Sequence, residues 1–265
     1  MKRGLHRTPV AETVLSLLEN LHLGRGFRKY FRIDTALDET LHDAVYPIRH
    51  EVYFEDLGFE PIRDDRRETD EHDAHSVHCL LRTVGPLHKP VGCARVVLTN
   101  PADRSIPLPF ERVCANALDR SIIDPAKLPR ERIAEVSRLA VRKAYRRRKG
   151  EEKLSASDVR DEDFGTAEQP RFPYIPVSLY MGTIAVAARH GVDTLFVLTE
   201  PRLAAHFAKL GVRITRIGGP IEHRGTRIPS MIDVQDVIRN MRTLMKPLWR
   251  EVLAEIERSY ESQQH

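Results

Sequence analysis

The sequence predicts an α/β protein, one domain built on a mixed central sheet flanked by helices. Three observations carry this. Ser76 to Thr83 and Val91 to Leu98 are strand candidates joined by Gly85-Pro86-Leu87-His88-Lys89-Pro90, whose glycine and prolines suit a turn, so they read as an antiparallel hairpin. Beyond residue 176 apolar runs with helical and strand periods alternate. Finally, 265 residues, 41% hydrophobic and 30% charged, suffice for a full core, since a chain of this length removes ~70% of its unfolded surface from water.

Val10, Val14, Leu17, Leu18 and Leu21 recur at helical spacing, so residues 1–28 read as a helical extension with its helix ending near Gly24 and Gly26. Residues 29–236 form the central domain. It opens with a short strand, Lys29 to Ile33, then a helix, Glu39 to Glu55, interrupted near Pro47, and a charge-dense loop, Gly58 to Asp73. After the hairpin, Ile133 to Val141 alternates as a central strand and ends in Arg146-Arg147-Arg148-Lys149. Residues 151–172 are acidic and poor in large apolar groups, which suits a surface insertion. Val177 to His190 is a helix closed by Gly191, Thr194 to Thr199 a buried strand, and Leu203 to Leu210 a helix closed by Gly211. Arg213 to Ile217 and Ile228 to Val234 read as strands. Residues 237–265 are helical with a break at Pro247, and their stripe Met241, Leu244, Leu248, Val252 and Ile256 packs either on the same chain or in a homodimer.

Composition excludes several classes. The 42 Lys and Arg against 38 Asp and Glu give +4, and a pI near 9.0 permits an anionic partner without demanding one. Aromatic residues are not interleaved with the basic run, and no recognition-helix or zinc-finger pattern occurs, so nucleic acid is not the expected partner. Cys79, Cys93 and Cys114 form no C-x-x-C pair and suit a reducing cytoplasm. No run approaches the ~20 apolar residues of a membrane span. His72, Asp73, His75 and His78 lack a ligand geometry, because His75 and His78 on one strand point to opposite faces; no metal is expected.

The chemistry-bearing stretch runs from Arg49 to Arg138. Arg95 interrupts the apolar strand Val91 to Leu98, and Glu135 and Arg138 flank Val136-Ser137 in the next one. Buried charges are costly unless paired, and Asp70 and Asp73 are the natural partners. Glu135, Arg95 and Arg138 serve either catalysis or a buried ion-pair network.

In order, Arg49, Tyr53, Phe59, D-x-x-D at Asp70 and Asp73, Gly92-Cys93-Ala94-Arg95 and Glu135-Val136-Ser137-Arg138, with IEHRGTRIP near the end, resemble the acyl-homoserine-lactone autoinducer synthases and the related N-acyl amino acid synthases. The resemblance is nearer still to the PEP-CTERM/exosortase system-associated acyltransferases. It implies the GCN5-related N-acetyltransferase fold and attack of a small acceptor's amine on an acyl thioester. Arg49, Tyr53, Phe59, Asp70 and Asp73 then fall at the acceptor side, with Tyr53 where the family prefers Phe and Phe59 where it prefers Trp. Glu135 would polarise or deprotonate the amine, with Arg95, Arg138 and Ser137 around it, and the backbone near Ser137 to Leu139 would hold the thioester carbonyl.

In the wider fold the coenzyme A pyrophosphate rests on a turn of the type R-x-x-G-x-G or A. Here Arg147 and Gly150 are followed by Glu151 and Glu152, unfavourable beside a phosphate. That favours a phosphopantetheine thioester on acyl carrier protein over acyl-CoA, with Arg146, Arg147, Arg148 and Lys149 as docking charges; the bland reading of the run is a solvated strand end. The thioester is a co-substrate, and no bound cofactor is expected. Both a homoserine-lactone product from S-adenosylmethionine and an N-acyl amino acid are open. So is a carrier-protein binder that retains the fold without catalysis.

Overall fold

The computed structural model describes residues 23–146, 174–200, 203–204, 207–208 and 210–263. Its centre is an eight-stranded mixed sheet: β1 (Phe31–Ala36), β2 (Ser76–Thr83), β3 (Pro90–Leu98), β4 (Ile133–Val141), β5 (Thr194–Thr199), β6 (Thr215–Arg216), β7 (Ile221–Glu222) and β8 (Thr226–Asp233). The order is β1-β2-β3-β4-β5-β8-β6, with β7 paired to β8. All neighbours are antiparallel except β4 and β5.

Helices cover both faces, which is why the strands are apolar on both sides. On one face lies α4 (Tyr174–Arg189), whose Leu179 and Ile184 join Ile33, Cys79, Leu81 and Val91 in the main core. The other face is divided. Val45, Ile48 and Val52, from α1 (Glu39–His50) and the π-helical turn after it (Glu51–Asp56), pack on Leu80, Cys93 and Ala140. Phe110 of α2 (Pro109–Val113) joins Val97, Ile133 and Phe196 in a separate cluster, and the short α3 (Lys143–Arg146) follows β4. Along β3 that face reads Cys93, Arg95, Val97, so Arg95 lies between the two apolar clusters. The Asp38 side chain caps α1 by accepting from the Leu41 N–H at 2.8 Å.

Several expectations are corrected. Residues 23–30 are helical through Gly24 and Gly26, and β1 starts only at Phe31. These glycines mark close packing rather than a helix end: a side chain at Gly26 would collide with the Tyr174 ring, and one at Gly24 would sit 3.1 Å from the Pro247 carbonyl. Val10 to Leu21 lie outside the described residues. Pro47 does not interrupt α1, which runs on to His50 and then widens into the π-helical turn. The chain does not break at Pro247 either. α5 (Val234–Asn240) ends earlier, and α6 (Lys246–Glu261) begins with Pro247 in its first turn, where a missing N–H costs nothing. The strand expected at Arg213 to Ile217 is shorter: Thr215–Arg216 forms β6, and the Ile217 N–H still bonds the Pro229 carbonyl of β8 at 2.9 Å.

Gly191 ends α4 at φ +69°, and the Val192 N–H bonds back to Ala187. Gly211 repeats this at φ +87° after the helical residues 207–208. Phe27, Leu248, Val252 and Ile256 are fully buried in the main core, so the terminal stripe is covered within this chain; Leu244 stays 44% exposed and Met245 is buried instead. No helix among the described residues is long and apolar enough to cross a membrane.

Candidate active site

The cleft follows from the sheet. β4 pairs with β5 only from Ile133 to Val136, so among the described residues no strand pairs with residues 137–139 on the β5 side. A register shift between Cys93 and Arg95 on β3, and Arg138 in the left-handed region at φ +53°, mark the same place as a bulge. Between the parted strands lies a cavity of about 170 Å³. Glu135 to Leu139 and Val197 to Glu200 form its sides, Tyr180 and Thr183 of α4 its inner wall, and Tyr53, Phe59 and His223 its mouth.

Behind β4 the predicted charges come together. Arg95 Nη1 donates to Asp70 Oδ1 at 2.6 Å and to Asp73 Oδ1 at 2.7 Å, and its Nε donates to Ser137 Oγ at 3.2 Å. Arg49, fully buried, donates to Asp73 at 2.7 Å and to Glu68. Arg138 Nη2 donates to Glu68 and to Asp70, both at 3.0 Å. Three guanidinium groups thus alternate with three carboxylates. Burial acts to raise the carboxylates' pKa values, but the arginines outweigh it and hold Glu68, Asp70 and Asp73 below the usual range. Glu68 was missed by the sequence reading, although three buried arginines facing two named aspartates already leave one charge unbalanced.

Glu135 stands apart from this network and makes no ion pair with Arg95 or Arg138, so the ion-pair reading holds for the two arginines and not for Glu135. Only 8% exposed, it accepts a hydrogen bond from the Phe110 N–H at 2.6 Å. Burial pushes its pKa up to about 7, against the opposing pull of that hydrogen bond and of Arg95 and Arg138. It is the carboxylate in the cavity wall whose protonation changes near neutrality.

The Tyr53 hydroxyl donates to the Leu139 carbonyl at 3.1 Å, and burial pushes its pKa up to about 12. Its ring and that of Phe59 are 6.3 Å apart, forming the expected aromatic wall. His223, Arg224 and Arg227 also reach the cleft, from the β7–β8 turn and β8. His223 and Arg224 belong to the IEHRGTRIP segment of the sequence resemblance.

Arg146 is corrected as a docking charge. Its side chain is 3% exposed and ion-paired to Asp56, while Arg147, Arg148, Lys149 and the turn to Glu152 lie outside the described residues. His75 belongs to a helical turn, Asp73–His75, not to β2. His78 is buried with its Nε2 3.5 Å from Asp73, and burial and Arg49 push its pKa down to about 3. Burial likewise pushes the Cys93 and Cys114 thiols up to about 12, the opposite of activation.

Residues 48–156 match the family model described as an acetyltransferase (GNAT) domain. No curated protein matches the chain significantly by sequence. Among solved structures it is similar to TofI, solved with an inhibitor and MTA (TM-score 0.55, 21% identity, 83% of this chain and 98% of that one). It is similar to BjaI, a CoA-dependent acyl-homoserine lactone synthase solved with SAM and isopentyl-CoA (0.52, 18%, 83% and 89%). It is also similar to FeeM, an N-acyl amino acid synthase from uncultured soil microbes (0.51, 12%, 82% and 97%). These likenesses establish the fold, that of the GCN5-related N-acetyltransferases, and the domain match over residues 48–156 makes the class of chemistry acyl transfer.

Proposed function

We propose that this chain is an N-acyltransferase that moves a fatty acyl group from a phosphopantetheine thioester to the amine of a small acceptor. The observation that carries this is Glu135, a buried carboxylate of pKa about 7 in the wall of the cavity where β4 parts from β5. In its ionised form Glu135 takes a proton from the acceptor's ammonium, directly or through water. The free amine attacks the thioester carbonyl carbon, the C–N bond forms, and the C–S bond breaks. An amide and a thiol leave, the thiol carrying the proton that the attacking nitrogen sheds. The backbone of residues 137–139, which β5 leaves unpaired, supplies N–H groups for the developing oxyanion, and the arginine-carboxylate network behind β4 keeps that backbone in place. Tyr180, Thr183 and Val197 offer a partly apolar wall for the acyl chain. Val177, Met181 and Ile184 of α4 line a smaller cavity of about 20 Å³ that shares Tyr180 with this one.

Glu151 and Glu152 after Gly150 support an acyl carrier protein as donor, with Arg147, Arg148 and Lys149 as its docking charges. BjaI shows that CoA thioesters also serve on this fold. A cytoplasmic location and a role beside PEP-CTERM/exosortase envelope systems belong to the same reading, on the sequence resemblance. The test is mass spectrometry of products from purified protein given amino acids and S-adenosylmethionine, with matched carrier-protein and CoA donors of several chain lengths. The expected result is an N-acylated product, lost in Glu135→Gln. Product from acyl-CoA alone would overturn the donor reading and leave the reaction standing; no product from any combination, with folded protein, would overturn the reaction.

A further inference from the structure

The mouth of the cleft holds an arrangement that acyl transfer by itself does not require. The Arg224 guanidinium lies 5.9 Å from the Tyr53 ring centre and 5.7 Å from that of Phe59, and the Arg138 guanidinium lies 5.6 Å from Tyr53. Arg224 comes from the turn between β7 and β8, in the left-handed region at φ +55°, and its Nη2 is ion-paired to Glu60. Arg227, at the same mouth, is paired to Glu200 at 3.1 Å. An aromatic face attracts a cation within about 6 Å, and here the protein's own cations already occupy those faces. The field is felt nearby. Burial together with Arg224, Arg227 and Arg138 lowers the pKa of His223 below the ordinary imidazole value.

A sulfonium brought to this wall would meet guanidinium groups where it would need open aromatic faces. A carboxylate would meet the opposite situation, because a guanidinium carries five N–H donors in a fork that matches two carboxylate oxygens. Arg224 commits Nη2 to Glu60, and Arg138 commits Nε and Nη2 to Glu68 and Asp70, so each has donors left. We infer that the acceptor is an amine bearing a carboxylate and no second positive charge, an α-amino acid rather than S-adenosylmethionine, and that Arg224 on the aromatic wall enforces that choice. The inference rests on the reading of this cleft as the place of amine attack, and it separates this chain from BjaI, solved with SAM.

The test uses the full chain, whichever donor proves competent, and three acceptor sets: neutral amino acids, their decarboxylated amines, and S-adenosylmethionine. The expected result is a kcat/KM at least tenfold higher for an amino acid than for its decarboxylated amine, with no acylated S-adenosylmethionine. In Arg224→Gln the amino acid KM rises about tenfold with kcat within twofold, the preference over the amine collapses, and Arg224→Lys recovers part of it. Comparable turnover of S-adenosylmethionine, or an unchanged preference in a folded Arg224→Gln, would overturn the inference. Calorimetric binding of the amino acids and of S-adenosylmethionine to wild type and Arg224→Gln decides the matter apart from turnover. Amino acid binding that weakens in the variant supports the acceptor choice even if the transfer reaction fails. Tighter binding of S-adenosylmethionine than of any amino acid refutes it.

Discussion

Asp73 accepts from both Arg49 and Arg95 at 2.7 Å, so one carboxylate is shared by two arginines buried to 0% and 1% exposure. Breaking a buried pair from one side leaves an uncompensated charge, at a cost of ~3–5 kcal/mol. Asp73→Asn is therefore expected to lower the melting temperature by on the order of 10 °C, measured by calorimetry at neutral pH. This part of the site was legible, because an arginine inside an apolar strand demands a partner and a D-x-x-D pair stood in the preceding loop. Glu68 was not, since nothing in the spacing of the charge-dense loop distinguishes it from its exposed neighbours. The anchor of Glu135 was also hidden: its partner is a backbone N–H at Phe110, which no side-chain pattern announces.

Among the elements, α4 lies so close to the sheet that a Cβ at Gly182 would come within 2.6 Å of Ile33 Cδ1 and 3.1 Å of Cys79 Sγ. Gly191, just past the same helix, has open space around it and a left-handed backbone. Gly182→Ala should cost ~1–3 kcal/mol by overpacking, and Gly191→Ala ~1–2 kcal/mol by backbone conformation alone. Urea titration separates them by adding Ile33→Val, which relieves the contact at Gly182 and leaves the Gly191 penalty unchanged. The sequence shows glycines as punctuation, which was right at Gly191 and Gly211 and wrong at Gly24 and Gly26, where the cause is a facing side chain or carbonyl far along the chain. The antiparallel hairpin was readable from turn residues and alternation. The parting of β4 from β5 was not, because it depends on a bulge at Arg138 that no residue type there signals.

For the whole molecule, two sets of carboxylates pull the pH dependence of stability in opposite directions. Glu68, Asp70 and Asp73 are held below their unfolded-state values, so their contribution is present above about pH 4 and is lost as pH falls through the folded values. Glu135 is raised, so stability is fully present below about pH 4.5 and is lost as pH rises through about 7. Glu135→Gln should match wild type at pH 4.5 and exceed it at pH 8, by on the order of 2–3 kcal/mol in denaturant titrations. A stabilised but inactive variant is the pattern expected where a fold carries an ionisable group for chemistry rather than for packing. On the proposed mechanism this carboxylate, in its ionised form, prepares the amine for attack. This step is tested most directly by kcat/KM against pH for wild type and Glu135→Gln with a competent donor and acceptor. The expected wild-type profile inflects near pH 7, and the expected variant profile lies ~10²–10⁴-fold lower and lacks the inflection. A variant of near wild-type rate keeping the same inflection would contradict it and place the essential base elsewhere.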